Sequence, residues 1–521
     1  MTLTHVQFAR LEAPRDHGGV LVEPAPDRMR AALEGAPALI EGWDVRLADL
    51  HLPEVRRAVR RRVAGVDDDR PIVMTGHQPE FIHPGVWAKH VVVSRLAQAA
   101  GGVAVNLVVD TDTPKTTALT VPHQTDGRLR REQVGFAAVA AGVPYAAIPA
   151  LAAGQAARIA GLTRELLGER FDRSLLPVYF AALGRGSEAE DFVDQLIAAR
   201  GAVEQRFGVR MLERRVSRAW LCPLLLELLR GAPRFVDCYN AALAEYRAEQ
   251  RIRGRQHPIP DLLRAGDRRE LPLWVLRPGR PRERLFVEQG RGALVLHAGD
   301  QRLGALPMGA LRHWDAARDA MTVLGEVRFA PRALTLMLWA RLLLADLFVH
   351  GIGGAKYDRI TDRLIRLYFG IEPPPMACVS ATLRLDLPRS GTSAEALRAR
   401  QRLLRDLHHN PQRHLDGDAE VARLAGEKGR AVEESARLRS AGPAARARRR
   451  ELFGRVRALN RRMLDRHPQP VREAEAALRR LEAALGEDVV ADSREYFFAL
   501  FDEASLRRLC DALPAANAFR V

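Results

Sequence analysis

Three groups of residues in this chain have types and spacings suited to chemistry. The first is Gly76, His77, Gln78 and His83, with Lys89 shortly after; the second is Asp110, Asp112 and Lys115; the third is Gly351, Gly353 and Gly354 followed by Lys356. Imidazole and amide donors can polarise a phosphoryl or acyl oxygen, although the same groups also satisfy loop backbone. Two aspartates at a strand end can bind a cation, hold an amine or hydroxyl, or act as base. Such carboxylates are also common helix caps, and Asp112-Thr-Pro suits one. Glycines ahead of a helix let backbone N–H groups approach a phosphate, and Lys356 would add charge there. The third group matches neither GxxxxGKS/T nor GxGxxG, and a glycine-rich turn between helices explains it equally.

These groups need elements that bring them together. Ile72 to Met74 and Val103 to Val109 have the β-branched character of buried parallel strands, with a segment of helical length from Val86 to Ala99 between them. That is one βαβ unit. The loops after its two strands, Gly76 to Gly85 and Asp110 to Lys115, must lie on the same edge of the sheet, where open α/β sheets bind ligands. The chain therefore reads as an α/β protein with a nucleotide-binding crevice on that edge.

Bulk composition narrows the class. A chain of 521 residues with 47% hydrophobic content can bury a full core without staples. Cys222, Cys238, Cys378 and Cys510 are scattered without CxxC spacing, which fits a reducing, cytoplasmic setting. The most apolar stretch, Ala333 to Ile352, is interrupted by Arg341, Asp346 and His350, so no membrane segment is expected. The net charge of +16 raises nucleic acid as a partner, but arginine is spread through the chain and only Arg446 to Arg466 forms a dense basic run. Nucleic acid is not the expected partner. Only four lysines occur, Lys89, Lys115, Lys356 and Lys428, and the first three fall in or beside the groups above. An ammonium retained where arginine is otherwise accepted suggests a need for a point charge or a titratable amine. A metal site from His77, His83, Asp110, Asp112 and His123 lacks HxxxH, HExxH or paired-cysteine spacing, so no metal is assigned. No GxSxG elbow supports covalent hydrolase chemistry.

Along the chain, residues 1 to about 70 belong to the edge of the α/β domain, with Arg56 to Arg62 as a basic helix end. Gly142 to Gly208 reads as helical, and Phe235 to Arg253 as an amphipathic helix. Leu271 to Leu276, Leu285 to Val287 and Ala293 to His297 read as a small antiparallel meander inserted into the core. Phe329 to Val349 reads as one long apolar helix running into the glycine group, and Arg359 to Phe369 as another. Thr392 and Glu395 make a capping box for a region of heptad-like spacing that includes Leu404, Leu452, Leu459 and Leu478, divided by Pro443 and Pro468. An antiparallel helical hairpin or coiled coil is expected there. The implied divisions are 1–205 and 321–388 for the two parts of the core, 206–320 for a helical and β-meander insertion, 389–486 for the coiled coil, and 487–521 for a terminal segment on the body.

Together these pieces resemble the bacillithiol biosynthesis cysteine-adding enzyme (BshC) family. Thr75-Gly76-His77-Gln78 is similar to that family's TGQQ-type loop, with His77 where the family has glutamine. Asp110-Thr111-Asp112 resembles its Asp-His-Asp, and Gly353-Gly354-Ala355-Lys356 its late Gly-Gly-Pro-Gly-Glu loop. The resemblance implies a Rossmann-like core of the nucleotidyltransferase type, a connective insertion and a coiled coil used for homodimerisation. It also implies a ligase or transferase that joins cysteine, or another amine-bearing small molecule, to an acceptor. On that reading Gly76, Gln78, His83, Lys89, Gly351, Gly353 and Gly354 cradle an ATP- or ADP-like nucleotide, while Asp110, Asp112, His77 and Lys356 carry the chemistry. The alternative is a non-catalytic basic coiled-coil scaffold that binds nucleic acid or a protein partner.

Overall fold

A computed structural model describes residues 8–47, 49–185, 189–254, 256–415, 417–439 and 442–519. The chain is mixed α/β, and its central sheet has six strands: β1 (Val20–Glu23), β2 (Ile72–His77), β3 (Val103–Val108), β4 (Leu212–Arg215), β5 (Leu347–His350) and β6 (Met376–Ala381). Their order across the sheet is β1-β6-β5-β2-β3-β4. All neighbours are parallel except β1, which runs antiparallel to β6. The chain thus winds outward from β2 to β4 in one direction, then returns to lay β5 against the other side of β2. The order reverses between β2 and β5.

Four helices bracket the central strands in sequence: α1 (Leu52–Ala64), α2 (Pro84–Ala99), α3 (Ala333–Leu343) and α4 (Ile352–Phe369). The βαβ unit of β2, α2 and β3 forms as expected, with β2 running three residues past its apolar run, α2 starting two residues earlier and β3 ending one residue short of Val109. Pro84 sits in the first turn of α2, where its missing N–H costs nothing. Nearly every side of α2 is buried, because one face lies on the sheet while Trp87 stacks on Phe498, ring centroids 5.2 Å apart.

The expected long helix from Phe329 to Val349 is instead three elements: a strand at Arg328–Pro331, then α3, then β5. Uniform burial removes the periodicity that would separate them. The break is held by charge. Arg56 on α1 donates to the carbonyls of Leu342 at 2.8 Å and Ala345 at 2.8 Å, satisfying groups at the open C-terminal end of α3. Arg56 and Arg60 each bind the Asp346 carboxylate at 2.7 Å, and Asp346 accepts the N–H of Ile72 at 2.6 Å. The stretch expected to be a basic helix end is therefore partly a buried clamp. It fixes the start of β2 and the start of β5 together.

The insertion is larger than the three-strand meander expected. Its five main strands, Arg268–Leu276, Glu283–Gln289, Ala293–Ala298, Gln301–Pro307 and Arg328–Pro331, pair antiparallel into one sheet. Leu271, Val275, Leu285 and Leu296 from it share one apolar core with Leu52, Ile72, Met74 and Trp339. Core and insertion belong to one compact unit of residues 1–123, 131–385 and 494–521, so the expected divisions at 205, 320 and 388 do not all separate compact units. Among the described residues no helix is long and apolar enough to cross a membrane.

A second unit comprises residues 124–130 and 386–493. It holds four long helices: Ala394–His409, Ala419–Arg437, Gly442–Arg466 and Gln469–Ala491. Its first helix is capped by Ser393, whose Oγ accepts the Ala396 N–H at 3.0 Å, one residue after the Thr392 expected. The second and third run antiparallel, since Glu434 pairs with Arg448 at one end and Asp418 with Arg466 at the other. Leu415, Val421, Leu424, Leu459 and Met463 pack between them. Part of the basic run from Arg446 is thereby neutralised within the unit. Lys428, the fourth lysine, donates to Gln412 Oε1 at 3.0 Å and is a structural tie.

Candidate functional site at the reversal of strand order

Parallel strands put His77, Val108, Arg215 and His350 at one edge of the sheet. All three sequence groups lie along it. Thr75 Oγ1 donates to the Val349 carbonyl at 2.8 Å, joining β2 to β5, and Gln78 Nε2 donates to Asp112 Oδ2 at 2.9 Å, joining the loops after β2 and β3. Gly76 is required by packing, since a Cβ there would lie 3.0 Å from the Leu107 carbonyl oxygen.

The imidazoles are uncharged at neutral pH. Burial, reinforced by the nearby Lys89 charge, pulls His77 down to about 3; burial, with Arg494 and Lys89, pulls His83 down to about 4. His77 Nδ1 lies 3.0 Å from the Gln78 carbonyl, so that nitrogen carries the proton and Nε2 is left as an acceptor. His83 does the reverse. Its Nδ1 accepts the Gly85 N–H at 3.1 Å as the cap of α2, leaving Nε2–H as a donor. The start of α2 is accordingly satisfied from within, and the free N–H groups expected there are in part already used.

Lys89 reaches back along α2 and donates to the Gly76 carbonyl at 3.0 Å. Burial pushes its amine down to about 8. The same side chain lies within electrostatic range of Cys378 on β6, as does Lys356, and burial pushes that thiol up to about 12.

The two aspartates have different fates. Asp110 is fully buried: Arg215 Nε donates to Oδ2 at 2.7 Å, Ser217 N to Oδ1 at 2.8 Å, and Ser217 Oγ adds a further bond to Oδ2. It fastens the end of β3 to the end of β4, and three of the four acceptor positions of its carboxylate are taken by these bonds. Asp112 accepts from Gln78 and, at 2.8 Å, from Arg282 of the insertion, whose guanidinium also lies 4.3 Å from the centroid of the Trp274 ring. Its charge is already matched. His123 lies 3.2 Å from the Leu166 carbonyl, and no group of three or more His, Cys, Asp or Glu among the described residues could hold a metal ion.

Sequence reasoning missed two residues. Glu80, in the loop after β2, is half-buried; its N–H donates to the Gln78 carbonyl at 2.8 Å, and its carboxylate has no hydrogen-bond partner among the described residues. Burial raises its carboxyl, with Lys115 opposing and Asp112 reinforcing, so it stands between the loops after β2 and β3 as a proton acceptor with raised affinity. His350 ends β5. Its Nε2 meets Asp358 Oδ2 at 2.8 Å, and Arg341 holds the same Asp358 oxygen at 2.7 Å, which keeps the Asp358 carboxyl well below the usual range. The other nitrogen, Nδ1, faces the first turn of α4: a Cβ on Gly354 would lie 2.8 Å from it. The glycine and the histidine are thus one feature.

Gly351 caps α4, and Gly353 and Gly354 form its first turn, exposed. Ala355 is the first residue of α4 whose N–H closes onto Gly351, at 2.9 Å, so the N–H groups of Ile352, Gly353 and Gly354 are open. Lys356 is half-buried, and its ammonium makes no hydrogen bond among the described residues. Neutral imidazoles, an open helix start, a spare ammonium and a carboxyl of raised affinity can together hold an anion and take a proton. Compared with known proteins, the chain matches no family model and no curated protein at a significant level.

Proposed function

We propose that the crevice between β2 and β5 binds a nucleotide through its phosphates, and that the protein is a ligase or transferase joining cysteine or another amine to an acceptor. The observation that carries this reading is that the loops after β2, β3 and β5 leave one edge of the sheet where the strand order reverses, with the first two joined by Gln78 and Asp112. Taken without β1, the parallel strands follow the 3-2-1-4-5 order of doubly wound Rossmann-like sheets, which bind ligands at that reversal. The open N–H groups of Ile352 to Gly354, with Lys356, take the phosphates; the partial positive charge of the start of α4 favours them. His83 Nε2–H adds a donor, and His77 Nε2 an acceptor for the amine. Glu80 takes the proton that the amine loses as its nitrogen bonds to the activated acceptor carbon, while the phosphate-bearing leaving group departs with the electron pair. Asp110 and Asp112 position the β3 loop. The helical unit joins two copies, a role supported by Phe453, 63% exposed beside a groove lined by Val456, Leu464 and Val471.

Thermal unfolding with ATP, ADP and GTP, each with and without cysteine and divalent ions, tests the reading. A nucleotide that binds the folded chain raises the midpoint by mass action. The expected result is a rise with at least one nucleotide that is lost in Lys356→Ala. No rise with any of them sinks the proposal.

A further inference from the structure

A concavity lies between the insertion and a core segment around Pro144. Its volume is about 550 Å³, within the range that encloses small ligands. Val143, Ala147, Ser217 and Phe329 form part of its walls, and Arg280 and Arg328, both exposed, line it as well.

Several arginines of the insertion meet carboxylates: Arg282 with Asp112 at 2.8 Å, Arg332 with Glu270 at 2.5 Å, and Arg277, which itself lines the cleft, with Glu283. Arg280 and Arg328 have no ion pair and no side-chain hydrogen bond among the described residues. The acidic residue of the lining, Glu326, pairs with neither. Two guanidiniums with unused donors face one cleft.

The cleft is built rather than incidental. Arg280 follows a turn closed by its own N–H onto the Arg277 carbonyl at 3.2 Å, with Pro278 and then Gly279 at φ 67°, the pattern of a type II turn. The Arg282 N–H then meets the Gly142 carbonyl at 3.3 Å, which docks that turn on the core. On the other side, the N–H of Ala146 binds the Asp110 carbonyl at 2.9 Å and the N–H of Tyr145 the Asp112 carbonyl at 2.9 Å. Ser217 binds the Asp110 carboxylate. The floor of the cleft is therefore hydrogen-bonded to the same strand end that forms one wall of the crevice.

We infer that this cleft binds a small organic anion, its carboxylate or phosphate group held by Arg280 and Arg328, and that this anion is the acceptor of the transfer reaction. The acceptor role rests on the function proposed above; the anion site does not. Guanidinium groups match both oxyanions in planar, two-point geometry, so the shared chemistry is the anion.

Calorimetric titration of the full chain at low salt with succinate and, separately, inorganic phosphate tests the inference, with glycerol as the neutral comparison. At least one anion is expected to bind, and Arg280→Ser with Arg328→Ser to weaken it by roughly tenfold or more. The arm that binds identifies the headgroup. A control that removes the same charge at Arg398 and Arg402 in the helical unit is expected to leave binding unchanged. Absence of binding by both anions, or equal weakening in the control, overturns the site. If the anion binds through Arg280 and Arg328 but no nucleotide raises the unfolding midpoint, the site stands and the ligase reading falls. If nucleotide binds and neither anion does, the reverse holds.

Discussion

An amine shut away from water on α2 is a liability that the fold carries at Lys89. Its pKa of about 8 in the folded chain stands against an ordinary 10.5, so above pH 8 the unfolded chain holds the proton that the folded one has lost. Stability contributed at this position therefore rises with pH through that window and is complete above about 10.5. Relative to Lys89→Met, the native chain should gain about 3 kcal/mol between those limits, measured by denaturant unfolding across the pH series. A parallel pair of curves would mean the amine is not desolvated. Glu80 gives the second prediction at this scale. Glu80→Gln keeps size and removes the basic oxygen, so bond formation should slow by roughly 10²–10⁴-fold while the nucleotide-induced rise in unfolding midpoint is retained. Loss of both together would assign Glu80 to binding instead.

Among the elements, β5 is the one most dependent on distant help. Four residues, Leu347 to His350, are buried on both faces, and their start is set by Asp346 between Arg56 and Arg60. Asp346→Ala leaves two buried guanidiniums unpaired and should cost about 3–5 kcal/mol in urea unfolding. A loss below about 1 kcal/mol would mean that water or a carbonyl replaces the carboxylate. This clamp also explains what was legible in the sequence. The β2-α2-β3 unit could be read because its turns and apolar runs are local, and so could the edge on which His77, Gln78 and Asp112 meet. The α3 to β5 segment could not, because continuous burial erases both the helical and the strand period. Within the site, Asp110 and Asp112 look alike in sequence; their partners, Arg215 and Arg282, come from 105 and 170 residues away. His350 was passed over for a similar reason, since its orienting carboxylate lies on the next helix and is itself held by Arg341.

At the scale of the whole molecule, the charge excess does not mark a nucleic-acid surface by itself, because arginines of the helical unit pair with Glu420, Glu427 and Glu434 on its own second helix. Besides its exposed arginines, that unit leaves Phe453 uncovered. Phe453→Asp should convert a dimer to a monomer in sedimentation experiments at micromolar concentration; a native chain that sediments as a monomer there removes the dimer proposal. The order of the central sheet has one more outcome. Strand β1 precedes every other strand of the sheet in the chain, yet its hydrogen-bonding neighbour, β6, is the last of them: Glu23 sits opposite Cys378. The side of β2 that receives β5 waits almost as long. During synthesis, then, a half-built sheet with a bare apolar margin must survive until the fifth and sixth strands arrive, and nascent chains stalled just short of residue 376 should be the ones that proteases cut and chaperones retain.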